Sequence, residues 1–361
     1  MGGFGAMLAQ GEHDRPVGLA FVNRRTRTLL VGAAPILALA AVLSSPAVPV
    51  PFAAEGPGPL FDVLGDIEGN EAVVVRGGDP DPSGGELNMT TVAVQHRLSL
   101  AQVMGMWADP DQRVVPIEAV FPPGLSQDDV KERNALMFSD SEANATASAL
   151  RQLGLPIEVT VALVSEGGAA EGVLEEGDVL RAIDGEEVDR PETLQRTVAG
   201  HAPGDRVTLD VVRDGREESI EVELGEHPDD DSTAFLGIGM AAQPKGDVKV
   251  EYNVSGVGGP SAGLMLSLAV VDKLSPGDLT DGRTIAGTGS IDGVGVVGPI
   301  GGITHKIAAA REGGAEMFLV PSENCSEALT AEAGDMKLIS VGTLDAAVDA
   351  LGDPNAAPTC G

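Results

Sequence analysis

The chain has 361 residues, enough for two or three domains at roughly 150 residues each, and its 55 acidic against 23 basic side chains give a net charge of −32 that repels nucleic-acid phosphates and anionic headgroups. Apolar residues make up 43% but aromatics only 3%, beside 48 glycines and 24 prolines, so the cores must be aliphatic and the loops numerous. Two cysteines, Cys325 and Cys360, exclude a disulfide-rich scaffold and a four-thiolate zinc site, and no His-Glu-x-x-His occurs, so no metal and no cofactor is expected.

Residues 29–43 (LLVGAAPILALAAVL) form an uncharged apolar run, preceded by Arg24, Arg25 and Arg27 and followed by a Pro-rich stretch from Pro46 to Pro59. Basic residues on the N-terminal flank hold that end in the cytoplasm. The expectation is one N-terminal transmembrane helix, with residues 1–54 as tail and anchor and everything after about residue 50 outside the cytoplasm. The run is shorter than the ~20 residues of a full span, and small residues at 44–47 and 52–54 offer a cleaved signal peptide as the competing reading.

Residues 55–153 read as a small mixed α/β region, with strands near 72–75, 89–94 and 114–120, a polar stretch over 126–134 and a helix over 143–153 stopped by Gly154. A strand is expected over 157–164 and another over 178–184, leading into an Asp184-Gly185 turn. Asp189-Arg190-Pro191-Glu192 reads as an N-cap with Glu at its third position, opening a helix that ends at Gly200. A hairpin turns at Asp214-Gly215, and 228–232 (PDDDS) reads as an acidic linker. Beyond it Val248, Val250, Tyr252 and Val254 alternate as a strand, then Gly256, Gly258, Gly259 and Pro260 make a tight loop into Ser261. A buried helix is expected over 262–273. Short strands at 284–286 and 291–297, a helix over 303–311, a strand at 317–320, a helix over 326–333, a strand at 337–340 and a helix over 344–351 complete the pattern, leaving 353–361 as a tail.

By order of elements, and by the run GVLEEGDVLRAIDGEEV at 172–188, residues 154–226 resemble a PDZ domain of the bacterial protease-associated type. The resemblance implies capture of a peptide as an added strand. It places the open edge at Ile157 to Val161, the facing helix at 191–199 and the carboxylate loop at 153–156, with Gly154, Leu155, Ile157 and Val159 as contacts. The loop reads Leu-Gly-Leu-Pro here, not the Gly-Leu-Gly-Phe of the signature. A module that merely spaces or shields the next domain is the alternative.

Two further runs, GGPSAGLMLSLAVV at 258–271 and VGPIGGITHKIAAAREGGAEMFLVPSEN at 297–324, resemble the proteolytic domain of Lon proteases, expected over 233–352. The resemblance implies Ser261 as nucleophile, Lys306 as its base and Thr288 as a hydrogen-bond partner of the lysine, with Gly259 and Pro260 shaping the loop. Gly258 and Ser290 stand where that family often has acidic residues. Anchor, PDZ and Lon-like units in this order resemble membrane-anchored bacterial Lon-like proteases that lack an ATPase module. No Gly-x-x-x-x-Gly-Lys-Ser/Thr run occurs in the sequence. The expectation is therefore an α+β multidomain chain acting as an ATP-independent serine endopeptidase on extracytoplasmic proteins or peptides. The membrane is its other partner, nucleic acid is not one, and a homo-oligomer is left open.

The chemistry agrees with those assignments. A serine hydroxyl needs a neighbouring base, and a lysine serves only as the neutral amine, which burial among groups such as Ile303 and Ile307 favours. A Gly-rich loop entering a helix turns backbone N–H groups toward a developing oxyanion. Gly-Pro-Ser-Ala-Gly at 259–263 also fits the nucleophile elbow of α/β-hydrolases, with Asp292 and His305 as partners. A catalytically silent PDZ adaptor is the non-enzymatic alternative. Cys325 and Cys360 are expected to form a disulfide, since their number is even and the outer compartment is oxidising.

Overall fold

The computed structural model describes residues 33–35, 45, 49–77, 84–121, 127–228, 230–245, 248–254 and 257–361, the side chains of 127 and 128 excepted. The apolar run at 29–43, apart from 33–35, and Gly256 lie outside the described residues. Among those described, no helix is long and apolar enough to cross a membrane.

The Pro-rich stretch ends in a strand. Strand β1 (Phe52–Asp62) is followed by the short ladder β2 (Asp66–Ile67) and β3 (Asn70–Glu71), then β4 (Val73–Arg76), β5 (Glu86–Gln95), helix α1 (Leu100–Trp107) and β6 (Arg113–Pro116). β1 pairs antiparallel with β5 along most of its length but with β6 only through Phe52–Glu55. Pro57 and Pro59 fall beyond that contact, at a register shift between Pro57 and Leu60, where the open side of the strand needs no N–H donor from them. Gly58 lies so close to β5 that a Cβ there would be 2.7 Å from the Thr91 carbonyl.

Helix α2 (Gln127–Gln152) is twice as long as its apolar pattern suggests, because its first turns are polar and exposed while its second half is enclosed on two sides. Ala143 and Ala147 belong to one core, Ala145 and Ala149 to another, all fully buried. Small side chains on both faces let two bodies approach one helix.

The first body is a six-stranded sheet built from β7 (Ile157–Val164), β8 (Val179–Ile183), β9 (Glu186–Glu187), helix α3 (Pro191–Ala199), β10 (Arg206–Arg213) and β11 (Arg216–Glu223). The hairpin β12 (Gly225–His227) and β13 (Asp230–Phe235) follows, then β14 (Ile238–Pro244). Positive φ at Asp184-Gly185 and Asp214-Gly215 gives the expected tight turns. Three expectations change. The acidic stretch at 228–232 runs into the β12/β13 hairpin instead of forming a linker. Helix α3 has Arg190 at its N-cap with no side-chain cap, and Asp189 accepts a hydrogen bond from the Thr193 hydroxyl. β14, expected to lie with the following domain, pairs antiparallel with β7 from Ile238 opposite Val164 to Pro244 opposite Ile157, in the order β11-β10-β8-β7-β14.

The second body continues with β15 (Lys249–Tyr252), paired with β4, then α4 (Gly263–Leu274), β16 (Thr284–Gly287), β17 (Ser290–Ile291), β18 (Val297–Gly298), α5 (Ile303–Glu312), β19 (Met317–Pro321), the one-turn α6 (Cys325–Ala328), β20 (Lys337–Val341) and α7 (Leu344–Gly352). Its sheet runs β20-β19-β16-β5-β1-β6, parallel from β20 to β5 and antiparallel beyond. The region expected as a separate unit over 55–153 is thus built into this sheet. Alternate residues of its strands feed two cores. Ile285 and Leu319 pack with α4 on one face, Ala286, Phe318 and Val320 with α5 on the other. Cys325 and Cys360 form the expected disulfide, and the tail lies along β20 through hydrogen bonds from Cys360 N–H to Leu338 O and Ser340 N–H to Pro358 O.

Candidate active site

Ser261 sits in a single 3₁₀ turn, Pro260–Ala262, immediately before α4. Gly259 takes φ of 84°, a conformation that strains any residue with a Cβ. Helix α2 holds this loop from one side. The Gly259 N–H donates to the Asn134 carbonyl at 3.3 Å and the Ser141 hydroxyl to the Pro260 carbonyl at 3.2 Å. From the other side the Ser261 carbonyl accepts the Gly289 N–H and the Thr288 hydroxyl, each at 3.0 Å, and the Leu264 N–H donates to Gly289 O. Thr288 follows directly on β16, so α4 and α5, packed on opposite faces of the sheet, converge at the C-terminal end of that strand.

Lys306 reaches the same point from α5. Its Nζ lies 2.8 Å from Ser261 Oγ and 2.9 Å from Thr288 Oγ1. The Thr288 proton is committed to the Ser261 carbonyl, so its oxygen can only accept from the amine, which leaves the nitrogen lone pair to face Ser261. The lysine is 3% exposed, with Ile303 and Ile307 on its own helix fully buried, and loss of hydration lowers its pKa from 10.5 to about 8. A cleft of about 550 Å³ opens beside the pair, lined by Phe61, Val92, Val257 and Ile300 as well as Ser261 and Lys306.

Ser261, Lys306, Thr288, Gly259 and Pro260 are therefore gathered at one place. The hydrolase partners are not. His305 Nδ1 lies 2.9 Å from the Asp111 carbonyl, and Asp292 accepts the amides of Val294 and Val296 within its own turn.

The residues assigned to peptide capture are not gathered in an open groove either. Gly154, at φ of 67°, ends the α2 turn, and Leu155 returns its N–H to Leu150 O. Ile157 and Val159 already face Pro244 and Ala242 of β14. The edge assigned to a ligand strand is filled by the chain itself. Three positioning contacts escaped the sequence. Asn134 and Ser141 brace the serine loop, and Glu192 of α3 accepts the Gly293 N–H across to the second body. Each joins residues 100 or more apart in sequence, which no local pattern signals.

Residues 128–224 match the PDZ domain family and residues 244–350 the Lon protease (S16) C-terminal proteolytic domain family. The chain carries a PDZ domain and a Lon-type proteolytic domain. Strands β1, β5 and β6 complete the Lon-type sheet from outside the matched residues, and most of β14 lies between the two matches. Among curated proteins, the chain is 27% identical over 190 residues to a probable periplasmic serine endoprotease DegP-like of Pseudomonas putida (strain GB-1), covering 52% of this chain and 34% of that one. It is 31% identical over 115 residues to Lon protease 2 of Bacillus subtilis (strain 168), covering 31% and 20%, and 39% identical over 75 residues to the archaeal Lon protease of Halobacterium salinarum (strain ATCC 700922 / JCM 11081 / NRC-1), covering 21% and 10%. The chain thus spans about a third or less of the length of these relatives.

Proposed function

We propose that this chain is a serine endopeptidase that cleaves protein substrates outside the cytoplasm without ATP, through a dyad of Ser261 and Lys306, tethered by residues 29–43. The observation that carries the reading is the 2.8 Å approach of the Lys306 amine to Ser261 Oγ in surroundings that bring the lysine pKa to about 8. In the first step the neutral amine takes the Ser261 proton as Oγ attacks the scissile carbonyl. The amides of Ser261 and Ala262, at the positive end of α4, then hold the oxyanion, Pro260 having no N–H to offer. The ammonium returns its proton to the leaving amine, and water, deprotonated by the same lysine, releases the acyl group. The Thr288 hydroxyl keeps the amine aimed throughout.

The PDZ domain enters this reading as the unit that hands protein substrates to the cleft. With β14 paired on β7, a substrate strand takes that edge only when β14 leaves it. Because β14 leads through β15 toward the serine loop, such an exchange would be felt at the site. Gln243 of β14 already makes both an N–H and a C=O contact to the Val250 backbone.

Hydrolysis of casein and of one fluorogenic peptide by the full chain, without nucleotide, tests the activity. Loss of both in folded Ser261→Ala and Lys306→Ala supports the dyad, and retention of turnover in either overturns it. Reporter enzymes fused at the two ends test the topology. A C-terminal reporter active only in the cytoplasm would refute the anchored, outward-facing arrangement.

A further inference from the structure

Helix α1 presents an apolar face to water. Its sequence, LAQVMGMW, carries no charged side chain, and no residue in it is fully buried. Val103 and Met106 are half-buried on the side packed against β1 and β6. Leu100, Met104 and Trp107, spaced i, i+4 and i+7, form the outer stripe, with Met104 62% and Trp107 79% exposed. A helix apolar all round is ordinarily enclosed. This one is held in place by local chemistry, a capping box in which the Ser99 N–H donates to Gln102 Oε1 at 2.9 Å and Ser99 Oγ accepts the Gln102 N–H.

The stripe sits where the N-terminal chain enters the structure. Val50 N–H donates to Leu98 O at 2.8 Å, two residues before α1 begins. From Leu43, the end of the apolar run, to Val50 is seven residues, a reach of at most ~25 Å when fully extended. A bilayer that holds residues 29–43 is therefore leashed to the end of the molecule that carries α1.

We propose that α1 docks on the surface of that bilayer, with Leu100, Met104 and Trp107 entering the boundary between headgroups and acyl chains. This rests on the anchor reading of residues 29–43. Tryptophan and aliphatic side chains on an interfacial helix suit that boundary. The uncharged helix on a chain of net charge −32 fits a zwitterionic surface better than an anionic one. The effect would be to fix the orientation of the Lon-type domain and its cleft relative to the membrane, beyond what a flexible tether supplies.

Trp107 is the one tryptophan of the chain, so its fluorescence reports the contact directly. The full chain would be reconstituted into phosphatidylcholine vesicles, with brominated lipids as quenchers and iodide as the aqueous quencher. The expected result is a blue-shifted emission, loss of most of it to brominated lipid, and protection from iodide. Leu100→Glu with Met104→Glu should abolish the lipid quenching while the protein still floats with the vesicles and cleaves a short peptide at its original rate. Flotation with Trp107 open to iodide and untouched by brominated lipid would overturn the docking and leave the anchor standing. Failure to float would overturn the anchor and the docking together. A blue shift that follows protein concentration instead of lipid would place a second copy on the stripe and overturn the proposal.

Discussion

A lysine is a useful base only in the fraction that has lost its proton, and at Lys306 burial makes that fraction sizeable near neutral pH. With the pKa lowered to about 8, turnover should rise about tenfold per pH unit below that value and level off above it. A pH profile of peptide hydrolysis under saturating substrate checks this, and a flat profile between 6 and 8 would contradict it. Lys306→Ala and Lys306→Arg should both be inactive, because the guanidinium stays protonated at any working pH. His305→Ala should keep most activity, since His305 is directed to the Asp111 carbonyl. Thr288→Val removes the acceptor that orients the amine and the donor to the Ser261 carbonyl. A bond to a charged or reactive group contributes about 1.5–3 kcal/mol, so kcat should fall roughly 10- to 100-fold while KM for a short peptide holds, a split that stopped-assay kinetics would show. The candidate site was legible through the resemblance of two short runs, 258–271 and 297–324, to Lon proteolytic domains, each run holding its residues close together in sequence. Gly259, Pro260 and Ser261 form one loop, and Lys306 follows the Gly301-Gly302 turn into α5. What could not be read is how that loop is braced, since Asn134 and Ser141 approach it from α2, more than a hundred residues away.

At the scale of elements, β7 emerges with the bounds its alternation suggests, whereas its partner β14 gives no such signal. The run Ile238–Pro244 is small and apolar with most side chains buried, because helix α2 packs against the strand, so no polar face appears in the sequence. Strand β1 was concealed by its Gly-Pro-Gly-Pro run, which is compatible with a strand only because β6 stops short of it. Helix α1 spans only eight residues, with Gln102 its one polar side chain, too few turns for its stripe to register as a period. Under the proposed reading, these pairings bear on how the PDZ domain meets a substrate strand. If a substrate strand must displace β14, locking β14 to β7 should remove the benefit that the domain gives. Val159 and Ala242 are directly opposed and both buried, close enough across the ladder for a cross-link between Val159→Cys and Ala242→Cys. Once oxidised, the locked chain should cleave a short peptide at its original rate but casein several-fold more slowly, and reduction should restore casein cleavage. Equal casein cleavage in both redox states would show that the strand need not move.

Across the whole molecule, carboxylates buried on α2, the helix enclosed between the two cores, give the fold its own pH dependence. Asp140 of α2 is bonded to Gln195 of α3. Burial raises its pKa to about 7, opposed by that hydrogen bond and reinforced by the charge of Glu192. Burial likewise raises Glu142 to about 8. Asp140 Oδ1 and Glu192 Oε2 are buried without a hydrogen-bond partner among the described residues, while the other Glu192 oxygen accepts the Gly293 N–H of the Lon-type domain. An acid whose folded pKa lies above its unfolded one binds its proton more tightly when folded, so its contribution is complete below the unfolded value and fades as pH rises through the folded one. For Asp140 the window runs from 3.8 to about 7, and for Glu142 from 4.5 to about 8. Lys306 acts in the opposite sense but only from about 8 upward to 10.5, leaving the carboxylates in control between pH 5 and about 8. The unfolding free energy should therefore fall across that range, by on the order of 2–4 kcal/mol per group at most, and the denaturant midpoint with it, while hydrolysis measured over the first minutes rises with the deprotonation of Lys306. Asp140→Asn and Glu142→Gln each keep the shape and remove the charge, so they should flatten the stability profile and leave the activity profile with its rise toward about 8. Matched unfolding curves at pH 5 and pH 8 for the three proteins decide it. An equally steep loss in both variants would mean that these two carboxylates do not carry the pH dependence.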